Sequence, residues 1–220
     1  MTGPGRPVRV FIVDDHPLVR EWLAALLGEQ PDLKVCGQAA ESGAALSAML
    51  REPPDIAIVD LSLKGASGLD LIKDLAARLP SVRVVVLSMH EEAFYAERAF
   101  RAGARGYVMK RESTGQIVAA IRLVHEGKLY GDPALLAALA ERIVGRPAEA
   151  APTPESLSDR ELDVFRRLGE GHTTRRIADD LQISLKTVQT YCARIREKLG
   201  LSDGAELVRA AVRWAAGARP

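Results

Sequence analysis

The sequence predicts an α/β domain with a five-stranded, doubly wound parallel sheet, followed by a small all-α domain of four helices. Five short, mostly β-branched apolar runs recur at intervals of about 20 to 27 residues through the first half of the chain. Helically spaced segments lie between them, and beyond Ser158 no strand-like run returns.

The strands are VRVFIV (8–13), LKVCGQA (33–39), IAIVD (56–60), VRVVVLS (82–88) and GYVM (106–109). After them in turn, LVREWLAALLG, GAALSAMLR, GLDLIKDLAARL, FYAERAFRAG and TGQIVAAIRLVHEG carry apolar residues at helical spacing, several closing on Gly or Pro. Strands this apolar, alternating with helices, imply a parallel sheet buried on both faces. Such sheets bind ligands at the carboxyl ends of their strands.

Beyond Gly127, DPALLAALAERIVG (132–145) has a helical stripe, and RPAEAAPTPES (146–156) strings together Pro, Ala and Glu without a period, as a flexible linker does. Four helices are expected over 158–169, 174–181, 185–199 and 204–216. The expected divisions are a first domain over 1–127, a linker with one helix over 128–156, and a helical domain over 157–220.

A length of 220 residues suits two domains of about 100 to 150 residues or less. Hydrophobic residues at 47% and charged residues at 27% fit an ordinary globular protein rather than a disordered or fibrous one. No run approaches the roughly 20 apolar residues of a membrane span, and the N-terminus lacks the apolar stretch of a signal peptide. The expectation is a cytoplasmic protein without membrane contact. Cys36 and Cys192 lie far apart with no CxxC or Cys/His cluster, which argues against a disulfide framework or a zinc site. The net charge of +1 is uneven: residues 156–220 carry 12 basic and 9 acidic side chains, residues 1–155 carry 18 and 20. Nucleic acid would meet the basic end.

Asp14 and Asp15 follow the first strand and Asp60 ends the third, so a parallel sheet brings three carboxylates to one edge. Crowded carboxylates repel, and a cation relieves them. All-oxygen ligands suit a hard octahedral ion that pairs with phosphate, and Mg2+ is the natural candidate. Ser88 closes the fourth strand and Lys110 follows the fifth, adding a hydroxyl and a compact positive charge to the same rim. Together these residues make a phosphoryl-binding site. His16, beside the acidic pair, has no second His nearby and reads as a capping or loop residue.

The motifs VDDH (13–16), VDLSLKGASG (59–68), LSMH (87–90) and GARGYVMK (103–110) resemble, in order, those of the flavodoxin-like receiver domain of two-component systems, over residues 8–126. The resemblance implies that Asp60 takes phosphoryl from the histidine of a sensor kinase. It further implies Asp15 and Asp60 as direct Mg2+ ligands, the Ser62 backbone carbonyl as a third, Asp14 as a ligand through water, and Lys110 as the partner of the phosphoryl group. Ser88 and Tyr107 would form the switch, the hydroxyl turning toward phosphoryl and the ring filling the vacated space. In-line transfer needs little covalent help beyond the aspartate, because the ion and Lys110 offset charge on the equatorial oxygens. The resemblance also places Ser62 and His90 at the two positions that tune phosphoryl lifetime in receivers. Two departures from the family pattern are Lys64, where proline is usual, and Arg111, where many receivers have a cis proline.

In the helical part, Ser158 and Glu161 form a capping box leading into Leu162, Phe165 and Leu168 at core spacing. Thr173 caps TRRIADDL, and Ser184 caps LKTVQTYCARIREKLG after a very short turn, which is a helix-turn-helix. Val188, Cys192, Ile195 and Leu199 would face the core, and Lys186, Gln189, Thr190, Ala193, Arg194 and Arg196 would face outward. By periodicity alone this is equally a solvated helix of a bundle.

Residues 157–201 resemble the LuxR-type helix-turn-helix, which joined to a receiver defines the NarL/FixJ response regulators. The resemblance implies Gln189, Thr190 and Ala193 at base edges of promoter DNA and Lys186, Thr187 and Arg194 near phosphates. It also implies a homodimer through the last helix, where Leu207, Val208, Ala211 and Trp214 share one side, and makes RNA polymerase a further candidate partner. The chain is then no enzyme toward outside substrates, the receiver catalysing only its own phosphoryl transfer and dephosphorylation. An aspartyl-phosphate phosphatase would carry a second Asp at the position of Ser62. The remaining alternative is a regulator that binds DNA or protein without phosphorylation.

Overall fold

The computed structural model describes residues 6–63, 67–88, 93–111, 113–133, 136–137 and 153–216. The chain divides into two compact units, residues 1–145 and 146–220.

In the first unit the strands are β1 (Val8–Val13), β2 (Leu33–Ala39), β3 (Ile56–Asp60), β4 (Arg83–Ser88) and β5 (Gly106–Met109). They alternate with α1 (Pro17–Gly28), α2 (Ser42–Arg51), α3 (Gly68–Arg78), α4 (Ala93–Ala102) and α5 (Thr114–His125). All pairings are parallel, in the order β2-β1-β3-β4-β5. The chain reverses its direction of travel across the sheet between β1 and β3, and a crevice opens at such a switch point.

The period-2 alternation of strands sorts the core. Val10, Ile12, Ile56, Ile58, Val85, Leu87 and Val108 pack with Leu23 and Leu27 of α1 and Ile117, Ile121 and Val124 of α5. The intervening Phe11, Val13, Ala57, Val59, Val84 and Val86 are buried on the other face. Val82, expected to begin the fourth strand, instead belongs to the turn before it, where its N–H donates to Leu79 O.

Two segments expected to be linker are structured. Tyr130 pairs with the free edge of β5: its carbonyl accepts from Tyr107 N–H at 2.9 Å and its N–H donates to Arg105 O at 3.0 Å. Hydrogen-bonding groups on an edge strand draw in whatever backbone is near, a long-range pairing that local composition does not encode. Pro154–Ser156 form a single 3-10 turn. The helix expected over 132–145 falls largely outside the described residues.

The second unit contains α6 (Asp159–Gly169), α7 (Thr174–Asp180), α8 (Leu185–Leu199) and α9 (Gly204–Ala215). Capping starts each of them: Ser158, Thr173, Ser184 and Asp203 accept from backbone N–H groups of the first turns. The turn between α7 and α8 is held by Ile183 N–H donating to Ala178 O and places Gln182 at a left-handed φ of 53°. Helices α6 and α9 cross closely at Gly169, where a Cβ would lie 2.5 Å from Ala211 O. Among the described residues no helix is long and apolar enough to cross a membrane.

Candidate functional site

The pocket is assembled by strand ends. Asp14 and Asp15 lie just past β1, Asp60 is the last residue of β3 and Ser88 of β4, and Lys110 follows β5. Asp14, Asp60 and Ser88 are no more than 2% exposed, and Asp15 is 9% exposed. Lys110 Nζ reaches between two carboxylates, 2.7 Å from Asp14 Oδ2 and 2.8 Å from Asp60 Oδ2. Its backbone N–H donates to Ser88 O at 2.7 Å, so β4 aims the lysine stem.

Burial holds the Asp60 carboxyl above the ordinary aspartate range; Lys110 pulls it back and the charge of Asp14 pushes it further up. For Lys110, burial lowers the ammonium, but the two carboxylates outweigh it and hold it above its ordinary value. The pocket is therefore a charge cluster with more negative than positive groups. Donor atoms of Asp14, Asp15, His16 and Asp60 lie within 4.8 Å of one another, close enough to share one cation. Carboxylates buried this deeply fit a hard divalent ion.

The loop after β3 is pinned at both ends. Ser62 N–H donates to Asp60 Oδ1 at 3.2 Å, and Gly68 N–H donates to Leu61 O at 3.0 Å. A Cβ on Gly68 would sit 2.1 Å from the Asp60 carbonyl oxygen and 2.7 Å from Leu61 Cα, so only glycine lets α3 begin this close to the acceptor. Gly68→Ala is expected to cost about 1–3 kcal/mol in overpacking and to displace Asp60. Chemical denaturation and phosphoryl uptake from acetyl phosphate would both report it.

Tyr107 is buried on β5, in register with Val86 of β4, and Arg111 lies in the turn after β5, joined to Lys110 by a trans bond. Lys64 and His90 lie outside the described residues. His16, expected as a capping or loop residue, is a loop residue. It occupies the N-cap of α1 but makes no side-chain cap bond, and its Nδ1 lies 2.8 Å from Asp15 Oδ1 and 3.1 Å from Asp14 Oδ1. Pro17 at the first helical position favours extended backbone at His16 (φ −88°, ψ 112°), which turns the ring back over the acidic pair. The signal was in the sequence as an imidazole directly between an Asp pair and a proline.

In the helical unit, α8 exposes Lys186, Gln189, Thr190, Ala193 and Arg194, with Thr187 half-buried. Ser184 Oγ and Thr187 Oγ1 share a hydrogen bond at 2.8 Å, and Thr190 Oγ1 donates to Lys186 O at 3.0 Å. Of the expected core positions, Val188 and Ile195 are fully buried while Cys192 and Leu199 are half-buried. Helical period identifies the apolar face, and the footprint of the neighbouring helices decides how much of it is covered. On α9, Leu207 and Ala211 are buried, but Val208 is 42% exposed beside Val212 at 46%, so Val208 belongs to an outer face. Glu161 ties the ends of α6 and α8 together: Oε2 accepts from Ser158 N–H at 2.7 Å and from Lys198 Nζ at 2.6 Å. Burial raises this carboxyl, yet Lys198 and Ser158 together hold it below the ordinary range.

Two family models match the chain: the response regulator receiver domain over residues 10–122, and the bacterial regulatory proteins of the luxR family over residues 155–211. The oxygen regulatory protein NreC of Staphylococcus carnosus is 32% identical over 94% of this chain and 97% of its own length. The DNA-binding transcriptional activator DevR/DosR of Mycobacterium tuberculosis is 36% identical over 88% of this chain and 89% of its own. Among solved structures, RcsB from Salmonella enterica serovar Typhimurium bound to promoter rprA aligns with a TM-score of 0.62 and 24% identity over 94% of this chain and 99% of that one, a likeness of fold. A receiver joined to a LuxR-type helix-turn-helix makes a two-domain response regulator. The chain belongs to the NarL/FixJ group of these regulators.

Proposed function

We propose that a sensor histidine kinase phosphorylates Asp60 and that this modification controls binding of the LuxR-type domain to promoter DNA as a dimer, in the cytoplasm, with RNA polymerase as a further partner. The observation that carries the reading is the Asp60 carboxylate at the end of β3, buried beside Asp14 with Lys110 Nζ 2.8 Å away. The bound ion would be Mg2+, held by Asp15 and Asp60 directly, by the Ser62 carbonyl, and by Asp14 through water; it supplies charge neutralisation for the transferring group. Lys110 orients the phosphoryl group and offsets its charge. Ser88 and Tyr107 then respond to it. The domains on this reading are a receiver over 1–127, a linker over 128–156 and a DNA-binding domain over 157–220.

Gln189, Thr190 and Ala193 face base edges, and Lys186, Thr187 and Arg194 lie near phosphates. The exposed pair Val208 and Val212 on α9 supplies an apolar patch for a second copy. Gln189→Ala is expected to cost about 1–3 kcal/mol against the preferred operator and to relax specificity at one base pair. Arg194→Ala should weaken all sequences alike and reduce the salt slope by about one. Titrations of operator and scrambled DNA at several salt concentrations separate the two.

The direct test is promoter binding with and without acetyl phosphate. Tighter binding with the phosphodonor is expected. Equal binding under both conditions favours a regulator that acts without phosphorylation.

A further inference from the structure

We propose that His16 is a nitrogen ligand of the acidic pocket, so that the pocket accepts imidazole-binding divalent ions of the Mn2+, Co2+ and Ni2+ class and not only hard Mg2+. The inference rests on the reading that Asp14, Asp15 and Asp60 hold a divalent cation. In an octahedral site with ligands at about 2.1 Å, neighbouring donors are roughly 3.0 Å apart and opposed donors roughly 4.2 Å apart. His16 Nδ1 lies 2.8 Å from Asp15 Oδ1 and 3.1 Å from Asp14 Oδ1, hydrogen-bonding contacts in which the ring meets both carboxylates; the 2.8 Å separation from Asp15 is also that of adjacent ligands on one ion, so a divalent cation would take the place of the proton between them, with Asp14 reaching it through water. With Asp60 the full donor set spans no more than 4.8 Å.

The lysine does not block this corner. Lys110 Nζ contacts Asp14 Oδ2, whereas the ring addresses Asp14 Oδ1, so imidazole and ammonium take different oxygens of the same carboxylate. The His16 side chain is 61% exposed, which leaves an open path for an ion and its waters. The extended backbone before Pro17 and the His16 N–H bond to Asp14 Oδ1 at 2.8 Å hold the residue over the pocket. Imidazole binds the later first-row divalent ions well and adds little for Mg2+, so a nitrogen at this position changes which ion the pocket prefers.

The test uses Mn2+ as a paramagnetic probe with the full-length protein. Loss of the free-ion resonance on titration reports binding, and electron spin-echo modulation reports nitrogen in the first coordination sphere. The expected result is nitrogen modulation in the wild type that disappears in His16→Gln. Calorimetry should show Ni2+ affinity falling at least about tenfold in His16→Gln while Mg2+ affinity changes less than about twofold. Bound Mn2+ without nitrogen modulation in the wild type, or equal weakening of Ni2+ and Mg2+ by the substitution, overturns the role of His16 and leaves the cation pocket standing. Failure of the wild type to bind either Mn2+ or Mg2+ overturns both. Since the wild-type spectrum decides ligation by itself, a folding defect in the variant does not shield the proposal.

Discussion

Asp60→Asn is expected to abolish phosphoryl incorporation from acetyl phosphate, leaving promoter binding unresponsive to the phosphodonor. The amide keeps the shape of the side chain and loses the nucleophilic oxygen. Neither remaining carboxylate is placed to substitute, since Asp14 and Asp15 stand at the end of β1 and share their Oδ1 atoms with His16. Loss of function here should not come from loss of fold. Burial and the charge of Asp14 both disfavour the ionised form of Asp60, and Lys110 retains Asp14 as its partner at 2.7 Å. The neutral isostere removes a desolvated charge and one repulsion at the cost of one ion pair, so stability should stay within about 1 kcal/mol of wild type. Intact mass after treatment with phosphodonor and a thermal melt measure the two halves of this expectation. Phosphoryl uptake by the variant would show that another residue is the acceptor.

The parts of this site that were legible in the sequence are those dictated by strand ends. In a parallel sheet, residues that close or directly follow a β-branched run must sit on the carboxyl rim, so strand ends alone predict the positions of Asp60, Ser88 and Lys110. Which atoms meet is a different matter. The Lys110 ammonium lies between Asp14 and Asp60, where two carboxylates offset its burial, and that placement depends on how the side chains of β4 and β5 pack. The same limit explains His16, Val208 and Cys192. Period and neighbouring residue types identify a face or a turn, whereas coverage by an adjacent helix, or the direction of a ring before a proline, emerges only from the assembled chain. Tyr130 is the clearest case, since its pairing with β5 joins residues 23 or more positions apart and leaves no mark in local composition.

Phe165→Ala is expected to remove about 3–5 kcal/mol from the helical unit, a large fraction of what a small domain possesses. Phe165 is fully buried on α6 and meets Trp214 of α9 at a centroid distance of 5.7 Å and a tilt of 54°, a favourable aromatic arrangement. The cavity cannot collapse easily. Backbone already touches backbone where α6 and α9 cross at Gly169 and Ala211, so the helices have no room to close over the missing ring. The recognition helix α8 depends on that support, because Glu161 of α6 holds Lys198 near its C-terminal end. Operator binding should therefore be lost with the packing of α6, although no residue of the outer α8 face has changed. The first unit has its own core, centred on Val10, Ile12, Ile58 and Leu87, so phosphoryl uptake at Asp60 should persist in the same variant. Denaturation followed by circular dichroism should resolve an early transition of the helical unit, and Phe165→Leu, which refills most of the volume, should restore much of the loss. Wild-type operator affinity and unchanged unfolding in Phe165→Ala would mean that the α6–α9 contact is not what positions the recognition helix.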